Sequence, residues 1–362
     1  MYLKNLKLYK FRSYEYLDLD FSKEINVIYG KNAQGKTNII EAIYYFSALK
    51  SHRFVNDREI INENSESAMM KIEYFKNKGD SDLKIVLKKG AKKELLKNNC
   101  EKERTEFLGN FYSVLFSPED LNLIKGEKEQ RRRFIDIDIC QLRPNYYKYL
   151  QGYNNILLNR NKILKGDEKN SEGLLEVYTK KLVEYGSEVI FYRFLYLKRL
   201  KETAERIYSE ISDDKRKLEI KYKTFFEISD SENINEIKEN FIKSIKETEN
   251  EEKIKKTTVT GPHKDDIEFL LDGKNAKVFA SQGQQRTIIL ALKLSEMFFI
   301  KELTGEAPVL LLDDILSELD KQRQKRLFNY VKNFQTIITV TDSHTVNPEA
   351  VKMIKIENSK VV

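Results

Sequence analysis

The chain has 362 residues, 40% of them apolar and 33% charged, and 64 Lys and Arg against 57 Asp and Glu leave a net charge of +7. That length suits two lobes, or one domain with a large insertion, and the mild basic balance permits contact with nucleic acid without establishing it. Two distant cysteines, Cys100 and Cys140, and only three histidines argue against a disulfide framework and a zinc site. With no signal-peptide pattern and no apolar run of about 18 residues, the expected protein is cytoplasmic and has no membrane partner.

In chain order, LDLDF (17–21) alternates with the period of a strand, and INVIYG (25–30) is a short apolar run that stops at Gly30. A loop follows, then a helix with Ile39, Ile40, Ile43, Tyr44 and Phe46 on helical spacing. Residues 69–99 alternate again and predict a small antiparallel sheet. From 119 to about 250 the pattern is helical. Leu182, Tyr185, Val189, Tyr192 and Tyr196 recur at steps of three and four, with a four-residue step to Leu200. That spacing fits ordinary bundle packing or a short coiled coil. Beyond 257, IEFLLDG predicts a strand and turn, SQGQQR (281–286) opens a helix, and PVLLLDD and TIITVTDS are buried strands. The fold class is therefore α/β. Residues 1–118 and 257–362 are expected to build one lobe from both chain ends, and residues 119–256 a helical insertion lobe.

Gly30-Lys31-Asn32-Ala33-Gln34-Gly35-Lys36-Thr37 fills every fixed position of G-x-x-x-x-G-K-[ST]. Its glycines let successive backbone N–H groups converge on a phosphate, and the helix that follows adds the positive end of its dipole. Lys36 is expected to reach the β- and γ-phosphates of ATP and the Thr37 hydroxyl to ligate Mg2+. VLLLDD (309–314) is a buried strand ending in two acids. Asp313 is expected to hold the Mg2+ shell. Asp314 would either polarise the attacking water or cap the helix that follows.

A phosphate loop, then SQGQQR before a helix, then an apolar strand ending in acids and followed by Ser317-Glu-Leu-Asp320, resembles the ABC-type ATPase heads of the SMC branch. The resemblance implies that Ser281, Gln282, Gly283 and Gln284 form a signature motif. Such a motif caps the γ-phosphate held by a second copy, which makes the active form an ATP-bound homodimer. It also implies that Ser317 and Asp320 lie in a D-loop crossing that interface. FRSY (11–14), KSHR (50–53), FSPEDL (116–121), GPHKDD (261–266) and LLDDILSELD (311–320), in this order, are similar to the RecF family of bacterial replication-repair proteins. That family has GPHRDD where Lys264 stands here, which keeps the charge but not the planar fork. What the family resemblance implies is ATP-dependent pairing on double-stranded DNA and work with RecR, and with RecO, in loading recombinase at gaps. Arg12 resembles a residue that approaches nucleotide phosphate, with a surface salt bridge as the competing reading. Lys50, Arg53, Arg131, Arg132 and Arg133 are candidate DNA-phosphate contacts, salt-sensitive and blind to sequence.

The span between Thr37 and Ser281 leaves room for only a short helical hairpin, not the long arms of true SMC proteins. Asp314 stands where transporter ATPases place Glu, and its shorter arm predicts slow hydrolysis. No Q-loop glutamine is evident; FSPEDL offers Glu119 and Asp120. His344 fits the switch-histidine role no better than a surface loop. The alternatives are another SMC-like ATPase or the nucleotide-binding subunit of an ABC transporter.

Overall fold

The computed structural model describes residues 1–53, 55–77, 79–166, 171–212, 214–228, 233–342 and 351–362. The chain forms two compact units. The first comprises Met1–Leu121, Arg206–Lys215 and Ser281–Val362, and the second Asn122–Glu205 and Arg216–Ala280. Both chain ends thus build one unit, but the limits differ from those read in the sequence. The insertion runs to Ala280, so GPHKDD belongs with the helical unit. The reason is a strand the helical reading missed: Leu218–Lys223 pairs antiparallel along its length with Asp266–Leu271.

In the first unit one six-stranded sheet runs in the order Lys360–Val361, Val351–Glu357, Ile25–Tyr29, Thr336–Val340, Val309–Asp313, Ser113–Phe116. From Val351–Glu357 onward every neighbouring pair is parallel. VLLLD and TIITV are buried at every position, as a parallel sheet covered on both faces requires. The helix Lys36–Ala48 packs against Val309–Asp313, Ser113–Phe116 and Thr336–Val340, and the helix Gln282–Thr304 packs against Ser113–Phe116. Tyr29, Asp313, Val340 and Phe116 end neighbouring parallel strands. Their C-terminal ends share the edge where open α/β sheets bind ligands. A second sheet, antiparallel, has the order Tyr14–Asp20, Tyr2–Phe11, Ser67–Lys76, Gly79–Lys88, Glu94–Lys97, Cys100–Glu101. It contains the alternating segment expected over 69–99.

The second unit holds the helices Lys128–Leu142, Pro144–Leu164 and Ile234–Glu247 and the helix Ser171–Ile211 as far as Glu205, with a three-stranded antiparallel sheet. Leu182, Val189, Tyr196 and Leu200 are buried. Tyr192 instead meets Tyr146 and Tyr149 of the neighbouring helix, with ring centroids 5.8 and 6.0 Å apart. The heptad-like spacing therefore serves bundle packing.

Candidate functional site

The Gly30–Thr37 loop joins the strand Ile25–Tyr29 to the helix Lys36–Ala48. Its backbone is left-handed at Gly30 (φ 152°), Ala33 (φ 63°) and Gly35 (φ 99°). Glycine is needed for space as well as for φ. A Cβ on Gly30 would lie 2.3 Å from the Ile356 carbonyl oxygen, and one on Gly35 would lie 2.8 Å from the Tyr14 hydroxyl. Lys31, Asn32 and Ala33 are exposed. The Lys36 ammonium donates to the carbonyls of Gly30 at 2.6 Å and Lys31 at 2.8 Å, spanning the loop from inside. Burial lowers its pKa, and the nearby charges of Asp314 and Asp313 oppose that shift. Gln34 is held from outside by the last hairpin. Its carbonyl accepts from the Ser359 amide at 3.2 Å and its side chain accepts from the Asn358 amide.

Thr37 donates its hydroxyl to Asp313 Oδ1 at 3.0 Å, which brings the phosphate loop and the acid-ended strand together. Thr339, one residue before the end of the next strand, donates to the same oxygen at 2.7 Å and accepts from the Asp314 amide at 2.9 Å. Burial raises the Asp313 pKa, while the Thr339 and Thr37 hydroxyls and the Arg53 charge pull it down. A threonine hydroxyl and a carboxylate are hard oxygen donors, the set that suits Mg2+. Among the described residues no three His, Cys, Asp or Glu side chains gather as a metal cluster, so water and phosphate oxygens would complete the shell. Asp314 has φ 52° and occupies the N-cap position of the turn Ile315–Glu318, yet its side chain makes no capping bond. A non-glycine residue in this region costs about 1 kcal/mol or more, and such strain collects at functional sites.

Ser281 starts the helix Gln282–Thr304 with a reciprocal cap. Its hydroxyl oxygen accepts from the Gln284 amide at 3.3 Å, and Gln284 Oε1 accepts from the Ser281 amide at 2.8 Å. Gln284 Nε2 donates to Asp214 at 2.5 Å, so this side chain is engaged within its own chain. Ser281 and Gln282 are exposed, and the cap uses only the acceptor side of the Ser281 hydroxyl. Gly283 has no internal need to be glycine. It does not have positive φ, and a Cβ would stand at an ordinary 3.5 Å from its nearest atom, Arg323 Nη2. Ser317 is exposed and donates to the Asp314 carbonyl at 2.8 Å. Asp320 caps the helix Lys321–Val331 through the Arg323 amide at 2.9 Å and pairs with the Arg323 side chain.

The arginines sort differently from their sequence reading. Arg12 gives Nε and Nη2 to Glu41 at 3.0 and 2.6 Å and Nη1 to the Glu59 carbonyl at 2.8 Å, a salt bridge against the phosphate-loop helix. Arg53 reaches Asn38 Oδ1 at 3.2 Å, and Lys50 is exposed. Arg131 and Arg132 are corrections: both are buried and face inward. Arg131 pairs with both oxygens of Asp266 at 2.7 and 3.0 Å, and Arg132 donates to the Asp265 carbonyl at 2.6 Å. Their guanidiniums fold the second unit together and are not available to DNA phosphates; Arg133 is half-buried. In FSPEDL, Asp120 turns back to the Ser117 amide at 2.7 Å, whereas Glu119 is exposed. His344 lies outside the described residues. The sequence reading missed Thr339, Glu41 and Asn38. For Thr339 the available signal was a polar residue near the end of a buried strand, and for Glu41 a lone acid within the apolar IIEAI run.

Residues 2–361 match the family described as the RecF/RecN/SMC N terminal domain. The chain is 41% identical over 367 residues to the DNA replication and repair protein RecF of Oenococcus oeni, covering 99% of this chain and 98% of that one. It is 40% identical over 356 residues to the protein of that name from Bacillus cereus, covering 97% and 95%. A solved structure of the recombination mediator protein RecF-ATP in the RecFOR pathway superposes with a TM-score of 0.92 at 35% identity, covering 100% of this chain and 97% of that one. An Smc head bound to the C-winged helix domain of ScpA aligns with a TM-score of 0.55 at 16% identity, a likeness of fold alone.

Proposed function

Because this chain belongs to the RecF family of DNA replication and repair proteins, with an SMC-like ATPase head, we propose that Mg2+-ATP joins two copies of it face to face. In that state the pair grips double-stranded DNA at gaps and, with RecR and RecO, helps to load recombinase. ATP is hydrolysed slowly and chiefly as a clamp.

The observation that carries the pairing is Gly283. Where φ permits it, alanine in place of glycine is more stable by about 0.5–1 kcal/mol, and among the described residues neither backbone φ nor space calls for glycine here. A glycine with no internal reason fits close approach by something from outside. Ser281, beside it, is exposed with a hydroxyl proton to give. A phosphate held by a second copy satisfies both residues and gains from the helix dipole.

Within one copy, Lys36 would exchange the carbonyls of Gly30 and Lys31 for phosphate oxygens. The left-handed residues of the loop aim its N–H groups at the same place. Thr37 and Asp313 are the residues that would hold Mg2+, whose charge offsets that of the phosphate oxygens. Asp314, strained and uncapped, orients the attacking water. Its arm is one methylene shorter than that of glutamate, which favours a long-lived clamp over fast turnover. Lys50, Arg53 and the half-buried Arg133 remain the candidate phosphate contacts for DNA, which would make binding steeply salt-dependent and indifferent to sequence.

Sedimentation velocity with and without Mg2+-ATP, with and without blunt duplex, tests this reading. The expected result is a monomer that becomes a dimer with ATP, and a Lys36→Ala chain that stays monomeric. A chain that remains monomeric in saturating Mg2+-ATP contradicts it.

A further inference from the structure

Glu41 lies just over one turn into the helix Lys36–Ala48 and has no exposed surface. Its Oε1 accepts from Arg12 Nη2 at 2.6 Å and from Ser51 Oγ at 2.5 Å. Its Oε2 accepts from Arg12 Nε at 3.0 Å and faces Arg53 Nη1 at 3.8 Å. Burial pushes the carboxyl pKa up, but the bonds from Arg12 and Ser51 and the two guanidinium charges bring it below its ordinary value. A buried ion cluster is a poor device for stability alone, because desolvation offsets most of the attraction. Its neighbours Ile39, Ile40, Ala42 and Ile43 are fully buried, so an apolar residue would suit the surroundings.

The cations around Glu41 are not equivalent. Arg12 is locked: its side chain is fully engaged, its amide donates to the Ile60 carbonyl at 2.8 Å, and its backbone is left-handed at φ 50°. Arg53 is held but retains reach. Among the described residues its side chain donates one hydrogen bond, to Asn38 beside Thr37, makes the longer contact with Glu41, and is 33% exposed. Ser51 ties the start of the same loop, since its hydroxyl donates to Glu41 and accepts from the Arg53 amide at 3.0 Å.

We infer that Glu41 is a positioning residue for the ATPase reaction: by gathering Arg12, Ser51 and Arg53 onto the phosphate-loop helix, it sets the Arg53 guanidinium against Asn38, next to Thr37 and the phosphate that the loop would hold. Arg53 thereby serves the nucleotide as well as, or instead of, DNA. The inference rests on the ATPase reading above.

The test is steady-state ATPase kinetics on the full chain for Glu41→Gln, Arg53→Ala and the double variant, with thermal unfolding of each. If Glu41 acts through Arg53, Glu41→Gln lowers kcat about tenfold with KM within about threefold, as loss of an interaction made in the transition state requires. The double variant is then no slower than Arg53→Ala alone, and Glu41→Asp restores part of the rate. A kcat for Glu41→Gln within about twofold of the parent, or losses that multiply in the double variant, overturns the inference. If Glu41→Gln does not fold, Ser51→Ala enters the same cycle and is judged by the same two outcomes. Lys36→Ala separates the two levels. If it hydrolyses ATP at the parental rate, the ATPase reading fails; if it is inactive while Glu41→Gln is normal, only the role of Glu41 fails.

Discussion

Gly283→Ala should make the isolated chain more stable and its ATP-bound pair less stable. Among the described residues the added methyl meets nothing closer than 3.5 Å. In the monomer it therefore removes a glycine penalty of about 0.5–1 kcal/mol. For a unit of this size that raises Tm by about 1–4 °C. In the pair the same methyl stands between the helix N-terminus and the partner's phosphate. Overpacking a close contact costs about 1–3 kcal/mol. Symmetry repeats the cost in both sites, so the dimer should weaken by about 2–6 kcal/mol, or roughly 30-fold to 10⁴-fold. Calorimetry without nucleotide and sedimentation equilibrium with Mg2+-ATP read the two effects on one preparation. A Gly283→Ala chain that pairs as tightly as the parent refutes the close approach. A lowered Tm would show that the glycine has a reason inside its own fold.

Asp314→Asn removes the carboxylate that orients water but keeps its size, and should trap an ATP-bound dimer with hydrolysis reduced by about 10² or more; an unchanged single-turnover rate removes Asp314 from the mechanism. Arg131→Ala breaks a paired, buried guanidinium, so unfolding should become easier by about 1–3 kcal/mol while duplex affinity of the folded protein, measured by anisotropy, stays within about twofold; a large affinity loss without destabilisation would restore it as a DNA contact. His52 is buried, its ring nitrogens make no hydrogen bond among the described residues, and burial lowers its pKa to about 4. The unfolded chain therefore takes up the proton first as pH falls below the ordinary histidine value, and at pH 5 this one group should subtract about 2 kcal/mol of the stability present at pH 7. His52→Phe should flatten that part of the pH profile in denaturant titrations, and an unchanged slope between pH 7 and 5 contradicts the assignment.

The phosphate loop was legible because each fixed residue answers a local need. Gly30 and Gly35 carry φ values and close contacts that only glycine accepts, and Asp313 ends a short apolar run that reads as a buried strand. What stayed hidden depends on partners distant in the chain. Thr339 becomes part of the site only because Thr336–Val340 lies between Ile25–Tyr29 and Val309–Asp313 in the sheet. The run Arg131-Arg132-Arg133 reads as a surface cluster. Only the fold brings Asp265 and Asp266 to Arg132 and Arg131, which turns both guanidiniums inward. The strand Leu218–Lys223 alternates as a strand should, but it is short and lies among helices, and its pairing with Asp266–Leu271 moved the boundary between the units. SQGQQR was legible as a helix start, and the reciprocal Ser281–Gln284 cap is indeed there. The cap occupies Gln284 and the acceptor side of Ser281, and among the described residues nothing accounts for Gly283.

The most direct measurement mixes two inactive chains. Lys36→Ala lacks a working phosphate loop but keeps Ser281 and Gly283; Ser281→Asp keeps the phosphate loop and its own helix cap, since Asp caps as well as Ser, but sets a carboxylate against the partner's phosphate. Mixed at equal concentration with Mg2+-ATP, they can form a heterodimer that contains one complete site, and ATPase activity should appear that neither chain has alone. A mixture no more active than the sum of its parts would mean that each chain completes its site by itself.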